Sequence, residues 1–505
     1  MRSINTQSYY RLYGITAALI SVILGLNIVN PFFTEGEQLI TDNQLNLTEG
    51  EQLITDKQLN LTQFVNPFIG TGGTSPFGGG NTFPGAAYPF GMVQWSPDTV
   101  SNPPGGYSYY DSVIKGFSLT HFSGRGCQVY QDFPFMPYVG KLIYSPATNG
   151  SLYYSNFSHS SEFAHPANYK VHLDDSNVTA ELSVTHHTGI GQFTYPASAL
   201  STMIINTAGS INGNTNSSVT ITPGKNEVTG SAESKVGCSY QQYKIYFAAQ
   251  FDRSFSSYGT WSGGFVNYGS TSSSGYHTGA FIVFNATANN VVRVQVGISF
   301  VSIANAKLNL AAENANFNFD AVVKEGDAAW NNRLQSIQVE GGTPDEVVSF
   351  YTALYHVFFH PNIFNDANGQ YLGFDGEVHK VPEGHAHYEN IPSWDQYRTM
   401  IVLLSILAPS VASDVAQSLV DDALQGDGHI PRWVQANTDS YGMSGDGGSI
   451  MIAQAYAYGA RNFDTSGALN AMIDGQPNIR EGFQDYVKMG YVPIDSGLPG
   501  ASITL

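Results

Sequence analysis

The densest run of chemically able side chains is Ser393-Trp394-Asp395-Gln396-Tyr397-Arg398. It opens a predicted helix, with Asp395 in the first turn and Arg398 three positions on. Such residues are neighbours on a helix surface, and an exposed i,i+3 ion pair is one account of them. A second chemistry suits the same residues. An indole stacks on the apolar face of a sugar ring while a carboxylate and a guanidinium bond its hydroxyls. Both accounts stand on these residues alone. Trp433, Gln435 and Asn437 repeat the combination of ring and hydrogen-bonding side chains in a later loop.

Other constellations carry less. His121 and Cys127 bracket Phe122-Ser123-Gly124-Arg125-Gly126. A Cys/His nucleophile pair needs an exposed thiolate and an orienting group, and neither is legible, so a packed thiol beside a turn is the preferred reading. His379, Glu383, His385 and His387 have metal-ligand chemistry, but they form neither HExxH nor a Cys/His ladder. Hydrogen bonding within a loop accounts for them, and no residue is assigned as a metal ligand. Asp366-Ala367-Asn368-Gly369 begins like a calcium loop, but its glycine arrives too early for an EF-hand, and an Asn-Gly turn explains it better. Gly78–Gly80 lacks the Lys-Ser/Thr of a phosphate loop.

These residues need a large scaffold, and the composition supplies one. The chain has 505 residues, 42% of them hydrophobic, with 30 Tyr, 30 Phe and 5 Trp. Such content excludes global disorder. Only 12% are charged, about half the usual ~25%, so the surface is built of Ser, Thr, Asn, Gly and Tyr. That suits an exported protein or one that binds neutral polar ligands. The formal charge of −19, with no Lys/Arg cluster to offset it, argues against nucleic acid as a partner. Two cysteines, Cys127 and Cys238, cannot make a disulfide scaffold. They permit one long-range bridge, but two free thiols are the commoner case.

From Gln63 to about Phe300 short alternating runs stand between Gly, Asn, Ser and Pro clusters. They are Val178–Thr185, Gly191–Tyr195, Lys244–Ala249, Ala280–Phe284 and Val291–Ser299. This spacing predicts a β-sandwich over 63–300. Ala304–Phe317 and Ala321–Gln335 then change to helical spacing, a helical linker over 301–340. Thr343-Pro344-Asp345-Glu346 places a cap and a first-position proline before Val347–Phe359. Further helices are expected over Trp394–Leu407, Val411–Leu424, Gly447–Tyr458, Ser466–Met472 and Arg480–Lys488. Successive helices joined by loops predict an all-α repeat such as a helical barrel. The chain stops at Ser502-Ile503-Thr504-Leu505 as a helix begins, so the barrel over 341–505 is expected to be partial.

Arg2 and Arg11 precede an apolar run, Leu12–Val29, that falls just short of the ~30 Å hydrocarbon core. A signal peptide and an uncleaved signal-anchor both fit residues 1–30. In the 31–62 spacer, Thr34–Leu47 repeats as Thr48–Leu61 with only Asn43 replaced by Lys57. Sequons stand at Asn46, Asn60, Asn149, Asn156, Asn177, Asn216 and Asn285. The expected location is the secretory pathway, secreted or membrane-anchored, with the bulk of the chain extracellular or lumenal.

An ordered set of stretches resembles glycoside hydrolase family 92, the calcium-dependent exo-α-mannosidases. It comprises Val65-Asn66-Pro67-Phe68-Ile69-Gly70-Thr71, Phe83-Pro84-Gly85-Ala86, Pro89-Phe90-Gly91-Met92-Val93-Gln94 and Ser96-Pro97-Asp98-Thr99. Gly116-Phe117-Ser118, His121–Cys127, Phe350–His356, Ser393–Arg398 and Gly490-Tyr491-Val492-Pro493 continue it in order. The resemblance implies an N-terminal β-sandwich, a helical linker and an (α/α)6 barrel. It implies that Trp394 and Asp395 line a terminal-mannose subsite and that His121 to Cys127 form a sandwich-domain wall; Arg398 and Trp433 are candidate substrate contacts by their residue types. Val434 departs from it, standing where the family usually has Glu. The function implied is an inverting, calcium-dependent α-mannosidase acting on mannose-containing glycans. An inverting glycosidase needs an acid and a base roughly 6.5–9.5 Å apart. In the family both of these, and the residues around calcium, come from the second half of the barrel. They are therefore expected beyond Leu505, leaving residues 1–505 inactive alone. The alternative class is a non-catalytic carbohydrate-binding fragment or a pseudoenzyme.

Overall fold

The computed structural model describes residues 59–72, 81–124, 127–443, 445–475 and 483–491. The Leu12–Val29 run, most of the spacer repeat, Gly78–Gly80, Gly126, Arg480, Val492-Pro493 and the Ser502–Leu505 end lie outside the described residues. All described residues except Leu59 belong to one compact unit, Asn60–Leu505.

Two antiparallel sheets of nine strands each form the N-terminal half. The first runs Ala86–Ala87, Gln94–Thr99, Val113–Ser118, Phe135–Val139, Ser201–Ile205, Thr278–Phe284, Ser257–Ser262, Phe265–Tyr268, with Ser155–Asn156 added on Val113–Ser118. The second runs Ser272–Gly275, Asn214–Thr222, Glu227–Lys235, Gln242–Phe251, Val291–Ser299, Thr188–Thr194, Val178–Val184, Asn168–Leu173, Phe163–His165. Alternation drives this arrangement: Val171, Leu173, Val178, Ala180, Leu182 and Val184 all point into one core. Trp95 sits at its centre, edge-on to Phe135 with ring centroids 5.6 Å apart. Its neighbours on the facing sheet are Gly189 and Gly191, where an added Cβ would lie 2.7 and 2.8 Å from indole or phenyl carbons. Only glycine gives the indole that room.

The linker consists of two helices. Ile303–Glu313 lies against the Val291–Ser299 and Gln242–Phe251 strands. Phe319–Leu334 buries Trp330, whose indole N–H donates to the Ala87 carbonyl at 2.7 Å and whose ring lies 4.4 Å from Tyr355. One side chain therefore touches both halves of the molecule. A second tie is ionic. Glu313 accepts from His187 Nδ1, from the His187 amide at 2.9 Å and from Thr185 Oγ1 at 2.5 Å. His187 Nε2 lies 2.8 Å from the Asn365 carbonyl of the helical half.

The helical half begins where the cap signal places it. Thr343 and Glu346 form a reciprocal capping box on Pro344–Val357. Met400–Leu407, Pro409–Gln425, Gly447–Ala457, Thr465–Asp474 and Phe483–Met489 follow. The continuous helix expected over Trp394–Leu407 is two, Ser393–Gln396 and Met400–Leu407. Asp395, Arg398 and Thr399 are exposed and burial resumes at Ile401, so the chain turns between a surface segment and a core segment. Among the described residues no helix is long and apolar enough to cross a membrane.

Candidate functional site

The Ser393–Gln396 helix is a single turn whose position is set by its neighbours. Asp395 and Gln396 amides donate to the Pro392 carbonyl at 3.0 and 3.1 Å, and Ser393 Oγ donates to the Arg432 carbonyl. The Gly447–Ala457 helix starts against it: a Cβ on Gly447 would come within 2.5 Å of Ser393 Oγ and 2.8 Å of the Trp394 nitrogen. Trp394 is thereby held half-buried. The Arg398 guanidinium lies over its ring at 4.2 Å from the centroid and 5.2 Å from that of Tyr397. The bland account of an Asp395–Arg398 surface pair therefore misses where the guanidinium goes. Asp395 is exposed beside them. Partial burial raises its carboxyl above the usual range, and Arg398 pulls it partly back.

Trp433 backs this turn through a β-bridge with Pro392. It is buried, its indole N–H has no hydrogen-bond partner in the protein, and its amide donates to Asp439 Oδ1 at 3.0 Å. Asp439 also accepts from the amides of Arg432 at 2.8 Å and Tyr441 at 2.8 Å. Burial opposes its ionisation, but His429 and these amides win and hold the carboxyl below its ordinary value. Ala436, Tyr441 and Met443 all take left-handed φ values of 49°, 55° and 61°. Strain of this kind at residues other than glycine, concentrated in one loop, marks a segment whose shape is specified by its surroundings.

His121 and Cys127 belong to the sandwich side. His121 is fully buried, with Nδ1 2.9 Å from the Gln94 carbonyl and Nε2 3.0 Å from Asp98 Oδ1. Both ring nitrogens are thus engaged inside the sandwich. The loop it begins reaches the helical half through Ser123, whose amide donates to His360 Nε2 at 2.8 Å, and through Phe122, stacked on His360 at 4.6 Å. Cys127 is bonded to Cys238 across a separation of 111 residues. The expectation of free thiols is corrected: the Val236-Gly237-Cys238 turn brings its backbone against Gln128, which spacing along the chain could not show. The Cys127 carbonyl accepts from Gln435 Nε2 at 2.6 Å, and Tyr130 OH donates to Asn390 Oδ1 at 2.6 Å. The Cys127–Tyr130 loop and the Trp433–Tyr441 loop are therefore fastened together. Asn437 donates to the Gly373 carbonyl at 3.2 Å, outside the Trp394 group.

The four metal-type residues of the 379–387 segment do not converge. His379 pairs with Asp375 and His385 with Asp414, at 2.9 and 2.6 Å, while Glu383 is exposed. His387 instead joins two carboxylates that sequence reasoning missed, Glu389 and Asp422. The signal was present in two periodicities. His387 and Glu389 share one face of an extended segment, and Asp414, Ser418 and Asp422 form an i,i+4,i+8 stripe on the Pro409–Gln425 helix. The stripe meets the segment at His385, at the Tyr388 amide (2.8 Å to Ser418 Oγ) and at His387. Asp366, by contrast, is not a metal ligand. It accepts from Ser299 Oγ, Asn309 Nδ2 and Asn305 Nδ2 at 2.7, 2.7 and 2.8 Å, and Gly369 closes the expected turn on its carbonyl.

Comparison with known proteins bears on the family and the fold. Residues 64–299 match the glycosyl hydrolase family 92 N-terminal domain, and residues 305–505 match the family's catalytic domain. A family GH92 alpha-mannosidase from Bacteroides thetaiotaomicron superposes with a TM-score of 0.80 at 29% identity, over 86% of this chain and 60% of its own. A family GH92 inverting mannosidase from Bacteroides thetaiotaomicron VPI-5482 gives 0.76 at 29%, over 87% and 60%. A protein of Arthroderma benhamiae, described as an uncharacterized secreted glycosidase, is 21% identical over 88% of this chain and 56% of its own length. The chain thus spans about six-tenths of the length of these relatives. With both halves matched in order, the chain belongs to glycosyl hydrolase family 92.

Proposed function

We propose that this chain carries the sugar-contacting part of an α-mannosidase-type glycoside hydrolase acting on mannose-containing glycans. The observation that carries the reading is the Trp394 group: a half-buried indole and an exposed carboxylate at Asp395 on one helical turn, with the Arg398 guanidinium laid over the indole from the segment that follows. Trp394 supplies a face for the apolar side of the sugar ring, and Asp395 and Arg398 bond its hydroxyls. Trp433 holds the turn from behind, and the Cys127–Tyr130 loop braces the Trp433 loop. Asp395 is a recognition residue here. The acid and base that inversion requires are not assigned to any described residue.

Calcium is the metal the family implies. The one group of metal-type donors among the described residues, His387, Glu389 and Asp422, includes an imidazole. Calcium prefers six to eight oxygens, so this donor set does not fit it, and no step is derived through calcium. Residues 1–505 are expected to bind α-mannosides through these contacts, which by themselves do not replace protonation of the leaving oxygen or activation of water. The test is binding of, and mannose release from, an aryl α-mannoside and a 1,2-linked mannobiose, with and without calcium. Calcium-dependent turnover by residues 1–505 would place acid, base and metal within them. Absence of any mannoside binding would overturn the sugar reading.

A secreted or membrane-anchored location is part of the proposal. The Cys127–Cys238 bridge suits an oxidising compartment, and the sequon residues Asn156, Asn177, Asn216 and Asn285 are exposed. Expression in a glycosylating host should give a chain whose mobility shifts on N-glycanase treatment. No shift would count against export.

A further inference from the structure

We propose that His387, Glu389 and Asp422 form a binding site for a borderline divalent cation of the Zn²⁺ type, built between the 387–389 segment and the Pro409–Gln425 helix. This inference stands apart from the sugar reading and does not depend on it.

All three side chains are buried, and their ligand atoms lie within 4.8 Å of one another. His387 Nε2 is 3.2 Å from Glu389 Oε1 and 3.5 Å from Asp422 Oδ1. A tetrahedral centre with bonds of about 2.0–2.1 Å sets its donors roughly 3.3–3.4 Å apart, which matches both separations. Asp422 is 1% exposed, yet neither of its oxygens has a hydrogen-bond partner, and Glu389 Oε2 has none either. Two carboxylates are thus removed from water with almost nothing to replace their hydration. Buried charges are ordinarily paired or bound to metal. A divalent cation would neutralise both and satisfy the unpartnered oxygens together.

The surroundings support the donors as they do at metal centres. The Tyr371 ring stacks on His387 at 3.8 Å and 12°. Tyr371 OH is itself held by Gln425 Nε2 at 2.7 Å. The far ring nitrogen, His387 Nδ1, faces Asp421 Oδ2 at 4.0 Å, and Asp421 is fixed by Gln417 at 2.8 Å. The 4.0 Å separation is longer than a hydrogen bond and Nδ1 has no hydrogen-bond partner, so Asp421 acts on the imidazole through its charge alone. One imidazole with two carboxylates selects Zn²⁺ or a similar ion over Ca²⁺, and three protein donors leave a fourth position for water.

In a chain without metal, burial pushes both carboxyls well above their ordinary range, helped at Glu389 by the charge of Asp422 and at Asp422 by those of Asp421 and Asp439. A shared proton is therefore the competing occupant, and experiment separates the two. Residues 1–505 stripped with chelator and dialysed against Zn²⁺ should retain one Zn²⁺ per chain by elemental analysis. Co²⁺ in its place should give visible ligand-field absorption that Zn²⁺ abolishes. Asp422→Asn and Glu389→Gln, which keep shape and remove charge, should each weaken Zn²⁺ at least ~100-fold, the upper end of what loss of an outer partner costs. A folded chain that retains no Zn²⁺ would overturn the site in favour of the proton. So would uptake unchanged in both isosteric variants, or preference for Ca²⁺ over Zn²⁺. Should the variants fail to fold, the wild-type stoichiometry and Co²⁺ spectrum decide the question by themselves.

Discussion

At the scale of the residue, the sugar reading rests on side chains whose chemistry is divided between stacking and hydrogen bonding. Asp395 is the sharpest case, since it is exposed, charged and flanked by Trp394 and Arg398. A hydrogen bond to a charged group contributes roughly 1.5–3 kcal/mol, so Asp395→Asn should weaken α-mannoside binding about 10–100-fold without unfolding the chain. Calorimetric titration checks this, and an unchanged affinity would remove Asp395 from the site. That Trp394, Asp395 and Arg398 lie side by side was legible in the sequence because they are near neighbours along the chain. The meetings of Glu389, Asp422 and Asn390 were not. An i,i+2 face marked Glu389 and an i,i+4,i+8 stripe marked Asp422, but that this stripe meets that face, and that Asn390 meets Tyr130, depends on tertiary approach alone.

At the scale of the element, boundaries followed local signals where those signals were strong. Val291–Ser299 has the bounds that its alternation predicts, and Pro344–Val357 starts at its capping box. Thr343→Ala removes one half of that box and should cost about 0.5–2 kcal/mol in chemical denaturation. The break between Ser393–Gln396 and Met400–Leu407 left no such mark, because the apolar residues stay nearly in helical phase across it. The His187–Glu313 pair gives the linker a pH signature. Burial opposes charge on both partners, but their mutual bond wins, raising His187 and holding Glu313 at about 2. The His187 contribution is complete below its ordinary ~6.5 and is lost as pH rises through the raised value. The Glu313 contribution is complete above its unfolded value of about 4.5 and is lost as pH falls toward 2. The pair should therefore stabilise most between about pH 4.5 and 6.5. His187→Gln should lower the melting temperature most in that window, and a pH-independent difference would contradict the assignment.

At the scale of the whole molecule, several ties join the sandwich and the helical half, among them Trp330, the His187–Glu313–Asn365 contact, the Ser123–His360 bond and the fastened Cys127 and Trp433 loops. The disulfide anchors the last of these. Closing a loop of 111 residues restricts the unfolded chain strongly, so Cys238→Ser should cost roughly 2–5 kcal/mol in urea denaturation. The overall class, strands and then helices, was readable from the change of period near residue 300. The bridge was not, because pairing over that distance depends on tertiary approach alone. The central claim is that the Trp394 face of this molecule receives mannose. Its most direct test is ligand-observed NMR titration of the chain with methyl α-D-mannopyranoside and its galactose counterpart, repeated on Trp394→Ala. Saturable binding of the mannoside is expected, with at least ~10-fold weaker binding of the galactoside and loss of the mannoside signal in the variant. Equal binding of both sugars, or mannoside binding unaffected by Trp394→Ala, would contradict that claim.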